Sequence, residues 1–282
     1  MCCESGIMPC GGDGTEVSGG RWSIPRLRKN MLRAAAFTLI FALTNASLAL
    51  LFPFGLSRLL LCFVLYATGT IFMLYLLFHP RNQWLVANRS RVNCAGRPCV
   101  ALTFDDGPTA HHTPRLLEIL REKKVKATFF VVGRRAESQV ELVRRLHAEG
   151  HLIANHTYSH PSLFCFLTPR RLCQEIERGQ EVIRGICGVR PRYFRSPVGL
   201  RHPLLNFYLQ QVGLEYISWR VRAFDTLVQK PQVVMNRILH QVAPGDIILL
   251  HDNSSAGVGI MLGVLPQVID ELKDRGFDFV LV

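Results

Sequence analysis

The chain has 282 residues, a formal net charge of +12 at pH 7 and an apolar fraction of 49%. This length allows one large domain and an appendage. The positive charge alone would suit a nucleic-acid-binding protein, but soluble proteins of that class are seldom so apolar, so we expect no nucleic-acid partner.

The first part of the chain contains a basic segment and two uncharged apolar runs. Residues 1–33 are rich in glycine and cysteine with little periodicity, which predicts a disordered basic N-terminus. Residues 34–51 and 59–78 carry no charged side chain, and each run is long enough to cross a membrane as a helix. We therefore predict two transmembrane helices within 34–79 and a linker over 80–97. Two buried core helices are the alternative.

Basic residues predict the orientation of this helical hairpin. The turn between the runs carries only Arg58, so the positive-inside rule places both outer ends on the cytoplasmic side of a bacterial inner membrane. The domain that follows would then be cytoplasmic. Small residues at Ser47-Leu48-Ala49 allow an alternative, in which a signal peptide ends there, the second run is the anchor and the domain faces outward. The flanking basic residues are Arg21, Arg26, Arg28, Lys29, Arg33, Arg81, Arg89, Arg91 and Arg97.

The nine cysteines are scattered, and none belongs to a Cys-x-x-Cys pair. This spacing predicts neither a zinc ribbon nor a disulfide framework. Free thiols suit a reducing compartment, which agrees with a cytoplasmic domain.

From Pro98 onward, short apolar strands alternate with amphipathic helices. Such alternation predicts a parallel sheet covered by helices, either open or closed into a barrel. The predicted strands are 98–104, 127–132, 151–155, 192–195, 215–219, 246–251 and 277–282. The predicted helices are 113–123, 138–149, 169–186, 203–212, 231–242 and 264–275.

Two adjacent carboxylates, Asp105 and Asp106, follow the first of these strands. Because side chains alternate along a strand, the two acids should point to different sides, and Gly107-Pro108 forces a turn at the mouth of the sheet. One carboxylate could hold a metal while its neighbour handles a proton. A solvated turn is the alternative interpretation.

Two histidines, His156 and His160, follow the third strand at a spacing of four. On a helical turn this spacing puts both imidazoles on one face, where they could share one ion. Together with a carboxylate from another strand end, they would leave positions open for water, as in catalytic zinc sites. Further strand ends carry Arg195, Asp225 and His251.

Apart from Asp225, these residues fall in four ordered stretches: Thr103–Pro108, His156–His160, Phe194–Gly199 and Leu249–Asp252. The stretches resemble the motifs of polysaccharide deacetylases, the NodB-homology group of carbohydrate esterase family 4. The resemblance covers residues 98–282 and implies an α/β fold, a distorted (β/α) barrel with fewer strands than a TIM barrel, here preceded by the transmembrane hairpin. It also implies a divalent metal, usually Zn2+.

The resemblance implies a role for each polar residue. Asp105 resembles the catalytic base that takes a proton from the attacking water, and His251 resembles the general acid that protonates the leaving amine. Arg195 resembles the arginine that pairs with the base and keeps it ionised. The residues that resemble metal ligands are Asp106, His156 and His160.

One stretch departs from the family pattern, which has Asp-x-x-Asp-Trp where this chain has Arg222-Ala223-Phe224-Asp225-Thr226. Asp225 keeps the catalytic carboxylate that would orient and tune His251. Arg222 replaces the first acid with the opposite charge, and Thr226 removes an aromatic side chain that helps to shape the acyl pocket. The expected substrate-binding residues are Pro197, Val198 with its backbone N–H as oxyanion donor, Leu249 as a wall of the acyl pocket, and Trp219 in the space of the missing aromatic.

The sequence therefore predicts a carbohydrate N-deacetylase, a metal-dependent hydrolase that removes an N-acyl group, most often acetyl, from an amino sugar. The substrate would be an N-acylated glycan or a polyprenyl-linked sugar, and the anchor would contact membrane lipid. A non-catalytic glycan-binding membrane protein on the same fold is one alternative, and an amidase acting on a non-sugar substrate is another. A base, an acid and three ligands favour catalysis over binding alone.

Overall fold

The computed structural model describes residues 43–44, 47, 55–79, 82–227, 230–253 and 255–282. The chain divides into two compact units, Met1–Thr70 and Ile71–Val282. Helix α1, Leu56–Phe78, begins in the first unit and ends in the second. The predicted N-terminal segment and most of the predicted first membrane span lie outside the described residues.

One helix of the described residues is long and apolar enough to cross a membrane. Within α1, the segment Leu59–Phe78 has 20 residues, a mean hydropathy of 2.2 and 6% of its residues buried. These properties are those of the predicted second span. The hairpin as a whole stays a prediction, because its first helix falls among residues that the structure does not describe.

The second unit is built on a nine-stranded sheet in which all ladders between strands are parallel. The strands are β1 (Asn88–Arg89), β2 (Cys99–Asp105), β3 (Thr128–Val131), β4 (Leu152–Asn155), β5 (Tyr193–Phe194), β6 (Glu215–Ile217), β7 (Val221–Arg222), β8 (Ile247–His251) and β9 (Asp278–Phe279). Their order is β1-β6-β5-β4-β3-β2-β8-β7, with β9 paired to β2. The predicted parallel sheet is therefore confirmed, and its order runs from β1 to β7 as an incomplete barrel.

Two short strands were not predicted. β1 lies within the predicted linker 80–97, yet it pairs with β6 and belongs to the sheet. β7 pairs with β8 through Val221 and Arg222. A strand of two residues is too short to produce a period-2 pattern, so only its tertiary pairing defines it.

Among the described residues, seven α-helices follow α1, and they match the helices predicted from the sequence with two differences. They are α2 (Thr113–Glu122), α3 (Gly133–Ser138), α4 (Val140–Ala148), α5 (Pro169–Cys187), α6 (Leu205–Gln211), α7 (Pro231–Gln241) and α8 (Ala256–Asp274). Helix α3 was not predicted, and α8 begins before the predicted start at 264. Gly257, Gly259 and Gly263 lower the helix propensity of that first part. Burial of Val258 and Met261 in the core outweighs this preference.

Strand β2 shows how the fold positions the first acid. The strand is buried along its whole length, so elements cover both faces of the sheet. Val100, Leu102 and Phe104 belong to the core between the sheet and the helices, whereas Cys99 and Ala101 belong to the cluster inside the barrel. Because side chains alternate, Asp105 at the end of β2 continues the inward series.

The expectation that the cysteines are free thiols is wrong for one pair. Cys94 and Cys99 form a disulfide, with a sequence separation of 5 and their Cα atoms 5.5 Å apart. The fold brings them together at the start of β2, and their spacing carries no recognised motif. Disulfides are typical of oxidising compartments, so the argument from thiols for a cytoplasmic domain no longer holds.

Helix α5 packs closely on the loop after β4 at Gly179. A Cβ atom there would lie 2.6 Å from Asn155 Oδ1 and 3.1 Å from the carbonyl carbon of Thr157. We expect Gly179→Ala to lower the free energy of unfolding by about 1–3 kcal/mol, because these neighbours must shift.

Gly185→Ala on the same helix is the matched control. Within the described part of the chain, no atom beyond its chain neighbours and the backbone of its own helix lies within 4 Å of its Cβ position, and alanine favours a helix by up to about 1 kcal/mol. Urea denaturation measures both variants. Equal unfolding free energies for the two would contradict the close packing at Gly179.

Candidate active site

The C-terminal ends of the strands meet around a cleft of about 240 Å³. The sheet register explains this meeting, since Asp105 at the end of β2 pairs with His251 at the end of β8. Likewise, Asn155 at the end of β4 pairs with Phe194 at the end of β5. The polar lining of the cleft comprises Asp105, Asp106, His156, His160, Arg222, Thr226, His251 and Asn253.

Arg195 is fully buried and holds Asp105 in place. Its Nη1 donates to Asp105 Oδ1 at 2.6 Å and to Thr103 Oγ1 at 2.9 Å. Its other nitrogens donate to the carbonyl oxygens of Ile217 and Ser218 at 3.1 and 3.3 Å. The buried cation therefore has an anion and several neutral acceptors, and one oxygen of Asp105 is fixed by a charge-assisted hydrogen bond.

Asp106, His156 and His160 lie close enough to share one ion. Asp106 Oδ1 lies 3.3 Å from His156 Nε2 and 3.0 Å from His160 Nε2. Burial alone would raise the pKa of Asp106, but hydrogen bonds to the two histidines and their charges hold it well below its usual range. Asp106 has a φ of 72°, which turns the chain away from the direction of β2. The structure thus brings the three predicted ligands together.

The two histidines lie on an irregular loop and not on the helical turn that their spacing suggested. Thr157 and His160 have positive φ angles of 67° and 56°. Asn155 Oδ1 accepts a hydrogen bond from the Thr157 N–H, and Thr157 Oγ1 accepts one from the His160 N–H. Bonds from side chains to the backbone therefore replace the helical hydrogen bonds.

Glu175 on α5 supports this loop, and sequence reasoning missed it. Its carboxylate accepts hydrogen bonds from the backbone N–H and the hydroxyl of Ser159, both at 2.7 Å. Its carbonyl oxygen accepts the N–H of Tyr158. The sequence did contain one sign of this role, because Glu175 is an acid at a buried position of an amphipathic helix. No sequence motif marks such a position as part of a site.

Asn253 and Arg135 hold Asp106, and both were also missed. Asn253 Nδ2 donates to Asp106 Oδ2 at 2.9 Å, while the Arg135 guanidinium donates to the carbonyl oxygen of Asp106. Since Asn253 follows His251 by two residues, its place at the end of β8 was available from the sequence. Its hydrogen bond to Asp106 could not be predicted from the sequence.

The donor atoms of the Asp106, His156 and His160 cluster fit a divalent metal. His156 Nδ1 lies 2.8 Å from the carbonyl oxygen of Arg195, which can only accept, so Nδ1 carries a proton and Nε2 is the nitrogen that a metal would bind once it is deprotonated. Tetrahedral ligands about 2.0–2.1 Å from zinc lie about 3.3 Å apart, similar to the separations found here. One carboxylate and two imidazoles suit zinc and other divalent transition metals.

Asp225 holds His251 through two hydrogen bonds. Asp225 Oδ1 lies 2.8 Å from His251 Nδ1, and Oδ2 accepts the backbone N–H of His251 at 2.7 Å. Burial alone would lower the pKa of His251, but the hydrogen bond to Asp225 and the charges of Asp225, Asp105 and Asp106 raise it above its usual value. The imidazolium form is therefore present over a wider pH range.

The next residue, Asp252, is fully buried and points away from this chemistry. It accepts hydrogen bonds from Thr113 Oγ1 at 2.5 Å and Thr109 Oγ1 at 3.4 Å. Burial raises the pKa of Asp252 to about 7. Its contacts link the end of β8 to the start of α2.

Comparisons with known proteins agree with this arrangement. The polysaccharide deacetylase family profile matches residues 92–217. The chain is 35% identical over 192 residues to a chitooligosaccharide deacetylase of Sinorhizobium fredii. The matched region covers 64% of this chain and 89% of that protein. The chain belongs to the polysaccharide deacetylase family. It is also 35% identical over 188 residues to a peptidoglycan-N-acetylglucosamine deacetylase of Bacillus cereus, with 64% of this chain and 66% of that protein covered.

A solved structure of the polysaccharide deacetylase family has the same fold. The crystal structure of a peptidoglycan N-acetylglucosamine deacetylase matches this chain with a TM-score of 0.65 and 31% identity, covering 69% of this chain and 90% of the other. The predicted family, the NodB-type (β/α) fold and the class of carbohydrate deacetylase are thereby confirmed.

The predicted substrate-binding residues of this polysaccharide deacetylase lie around the cleft with one exception. Val198, Trp219 and Leu249 line it, whereas Pro197 is buried in the turn behind Val198 and is not part of the described lining. Val198 has a φ of 57° and an exposure of 53%. Pro197 begins this turn, and its contact with substrate stays a prediction.

We expect His156→Ala to weaken Zn2+ binding by more than about 100-fold, because loss of a ligand should exceed the 10–100-fold effect of losing a ligand's support. His147→Ala, an exposed histidine on α4, is the matched control and should bind zinc like the parent. Metal content after equilibrium dialysis measures both. Equal zinc content in the two variants would contradict the proposed ligand set.

Proposed function

We propose that this protein is a divalent-metal-dependent hydrolase that removes the acetyl group from an N-acetylated amino sugar of a glycan. The observation that carries the proposal is the content of one cleft. It contains a carboxylate held by a buried arginine, a three-residue donor cluster that fits a metal, and a histidine held by a second carboxylate. Together these three parts would supply a base, a metal that polarises the carbonyl and an acid for amide hydrolysis.

Asp105 is the proposed base. Arg195 donates to its Oδ1 and holds the carboxylate in place, while Oδ2 can accept a proton from the water that attacks the acyl carbon. The Trp219 and Leu249 side chains line the cleft beside it, where an acyl group would lie.

His251 is the proposed acid. Its Nδ1 is bonded to Asp225, so the proton on Nε2 is the one available to the leaving nitrogen. When the carbon–nitrogen bond of the amide breaks, this proton converts the nitrogen into a neutral amine. The products are acetate and the free amino sugar.

Asp106, His156 and His160 would hold the metal. A divalent cation in that position, for which we propose zinc, would polarise the acyl carbonyl and lower the pKa of water. Residues of the chain prepare the ligands for it. Asn253 orients the Asp106 carboxylate, and the carbonyl oxygen of Arg195 selects the His156 tautomer.

The relatives support the substrate class. They are named for peptidoglycan N-acetylglucosamine and for chitooligosaccharides. We therefore propose a glycan that contains N-acetylglucosamine. A polyprenyl-linked sugar stays a prediction of the sequence.

The two alternatives differ from the proposed function in different ways: the glycan-binding protein lacks the chemical step, and the amidase acts on a non-sugar substrate. A glycan-binding protein would not need a base held by a buried cation, nor an acid with a raised pKa. An amidase acting on a non-sugar substrate would use the same groups, so a panel of N-acetyl compounds distinguishes it.

We expect the purified, Zn2+-loaded protein to release acetate from N-acetylated chitooligosaccharides, with one new free amine for each acetate. Mass spectrometry measures the loss of acetyl groups. Removal of the metal with a chelator should abolish release, and added Zn2+ should restore it. A zinc-loaded protein that binds the oligosaccharide without releasing acetate would instead favour the glycan-binding alternative.

We expect the pH dependence of kcat to reveal the role of Asp225. His251 must be protonated to act as an acid, so activity should fall as the pH rises through its raised pKa. Asp225→Asn removes the charge that raises this pKa and should move the alkaline limb to lower pH. Asp246→Asn, a buried acid at the other end of β8, is the control and should leave the limb in place. An unchanged limb in Asp225→Asn would exclude His251 as the acid.

We also propose that α1 anchors the protein in a membrane and that the catalytic domain faces the oxidising side. The low burial of Leu59–Phe78 disfavours a core helix, and the Cys94–Cys99 disulfide favours an oxidising compartment. This is the outward-facing alternative that the sequence left open. The cytoplasmic orientation remains the competing prediction.

Reporter fusions after Val282 test this orientation in bacterial cells. We expect an alkaline phosphatase fusion to be active and a green fluorescent protein fusion to be dark, because phosphatase requires its own disulfides. The reverse pattern would support the cytoplasmic orientation.

A further inference from the structure

We infer that Arg222 is a specificity-determining residue that binds an anionic substituent, a carboxylate or a phosphate, on the amino sugar beside its acyl group. This inference rests on the proposed deacetylase function and narrows its substrate class. It starts from the place of one cation in the cleft.

Arg222 is placed beside the proposed acyl pocket by the sheet. In the parallel pair of β7 and β8, Arg222 lies in register with Leu249. Paired residues of adjacent strands point to the same face, and both side chains line the cleft. The cation therefore lies next to the wall that the acyl group would contact.

The acids around the cleft are already engaged by other groups. Asp105 is bound by Arg195, and Asp225 is bound by His251. Asp106 contacts the two histidines of its cluster and Asn253. Among the residues that the structure describes, no carboxylate lies within 4.0 Å of a nitrogen of Arg222, and its Nε is buried without a hydrogen-bond partner.

Two aromatic rings hold the guanidinium of Arg222. Its central carbon lies 4.7 Å from the centroid of the Phe224 ring and 5.9 Å from that of Trp219. Contact of the rings with the guanidinium reduces its freedom while its N–H groups stay available in the plane of the fork. A partly buried cation without an anion is costly, which favours a ligand that supplies the missing charge.

The chemistry of arginine defines that ligand. Its planar fork matches the two oxygens of a carboxylate or a phosphate, and such charge-assisted bonds are stronger than bonds to a neutral hydroxyl. A neutral sugar would offer only hydroxyl groups at this position. An acidic amino sugar or a sugar phosphate would pair with the charge.

Arg237 provides the matched comparison. Its guanidinium carbon lies 5.1 Å from the same Phe224 ring, and it donates to the carbonyl oxygen of Ala223. It does not belong to the described lining of the cleft. Loss of Arg237 therefore removes the same charge and the same kind of stacking without removing the proposed anion contact.

The test compares matched N-acetylated disaccharides: neutral diacetylchitobiose, a derivative with a carboxylate-bearing ether at O3, and a derivative with a phosphate at O1. The zinc-loaded parent, Arg222→Gln and Arg237→Gln are assayed for kcat/KM and, by calorimetry, for Kd. We expect Arg222→Gln to lower the preference for an anionic over the neutral disaccharide by about 10-fold or more, the size of one hydrogen bond to a charged group. Arg237→Gln should keep the parent's preference. The anionic disaccharide whose kcat/KM falls more in Arg222→Gln identifies the group, carboxylate or phosphate, that Arg222 binds.

The outcomes separate this inference from the proposed function. Turnover of all three disaccharides with the same preference in the parent and Arg222→Gln would overturn the inference and leave the deacetylase proposal standing. Tighter binding of an anionic disaccharide that depends on Arg222, without any acetate release, would support the inference as a binding site and contradict the proposed function. An equal loss of preference in Arg237→Gln would assign the effect to general charge and overturn the role of Arg222.

Discussion

The buried ion pair between Arg195 and Asp105 is the interaction on which the rest of the site depends. A fully buried guanidinium is tolerated only with an anion and enough acceptors, and this fold supplies both through Asp105 and the carbonyl oxygens of Ile217 and Ser218. Removal of one partner from such a pair costs about 3–5 kcal/mol. The pair therefore fixes the end of β2 against the segments that follow β5 and β6.

The same residue connects the base to the donor cluster. The side chain of Arg195 holds Asp105, while its carbonyl oxygen accepts the Nδ1 proton of His156 and turns Nε2 toward Asp106. One residue thus sets the position of the proposed base and the tautomer of a proposed ligand. His251 lies in register with Asp105 on the adjacent strand, and Asp225 holds it through its Nδ1 and its backbone N–H.

The parts of the fold that the sequence could predict are those with local signals. The parallel sheet, its longer strands and most helices follow from periodicity, and the strand ends identify Asp105, His156 and Arg195. The two histidines, however, needed the Asn155 and Thr157 side chains to bend their loop, which spacing alone cannot reveal. Glu175 and Asn253 act through tertiary hydrogen bonds and have no motif. The Cys94–Cys99 disulfide likewise depends on how β2 begins.

The most direct test of this account is the comparison of turnover and zinc content in Asp105→Asn. The account predicts that acetate release falls by about 10²–10⁴-fold, the usual contribution of a general base, while zinc content stays at the parent's level because Asp106, His156 and His160 are intact. Retained zinc also reports that the cleft is folded. Turnover within a few-fold of the parent, at equal zinc content, would contradict the role of Asp105 and with it the function of the Arg195 pair.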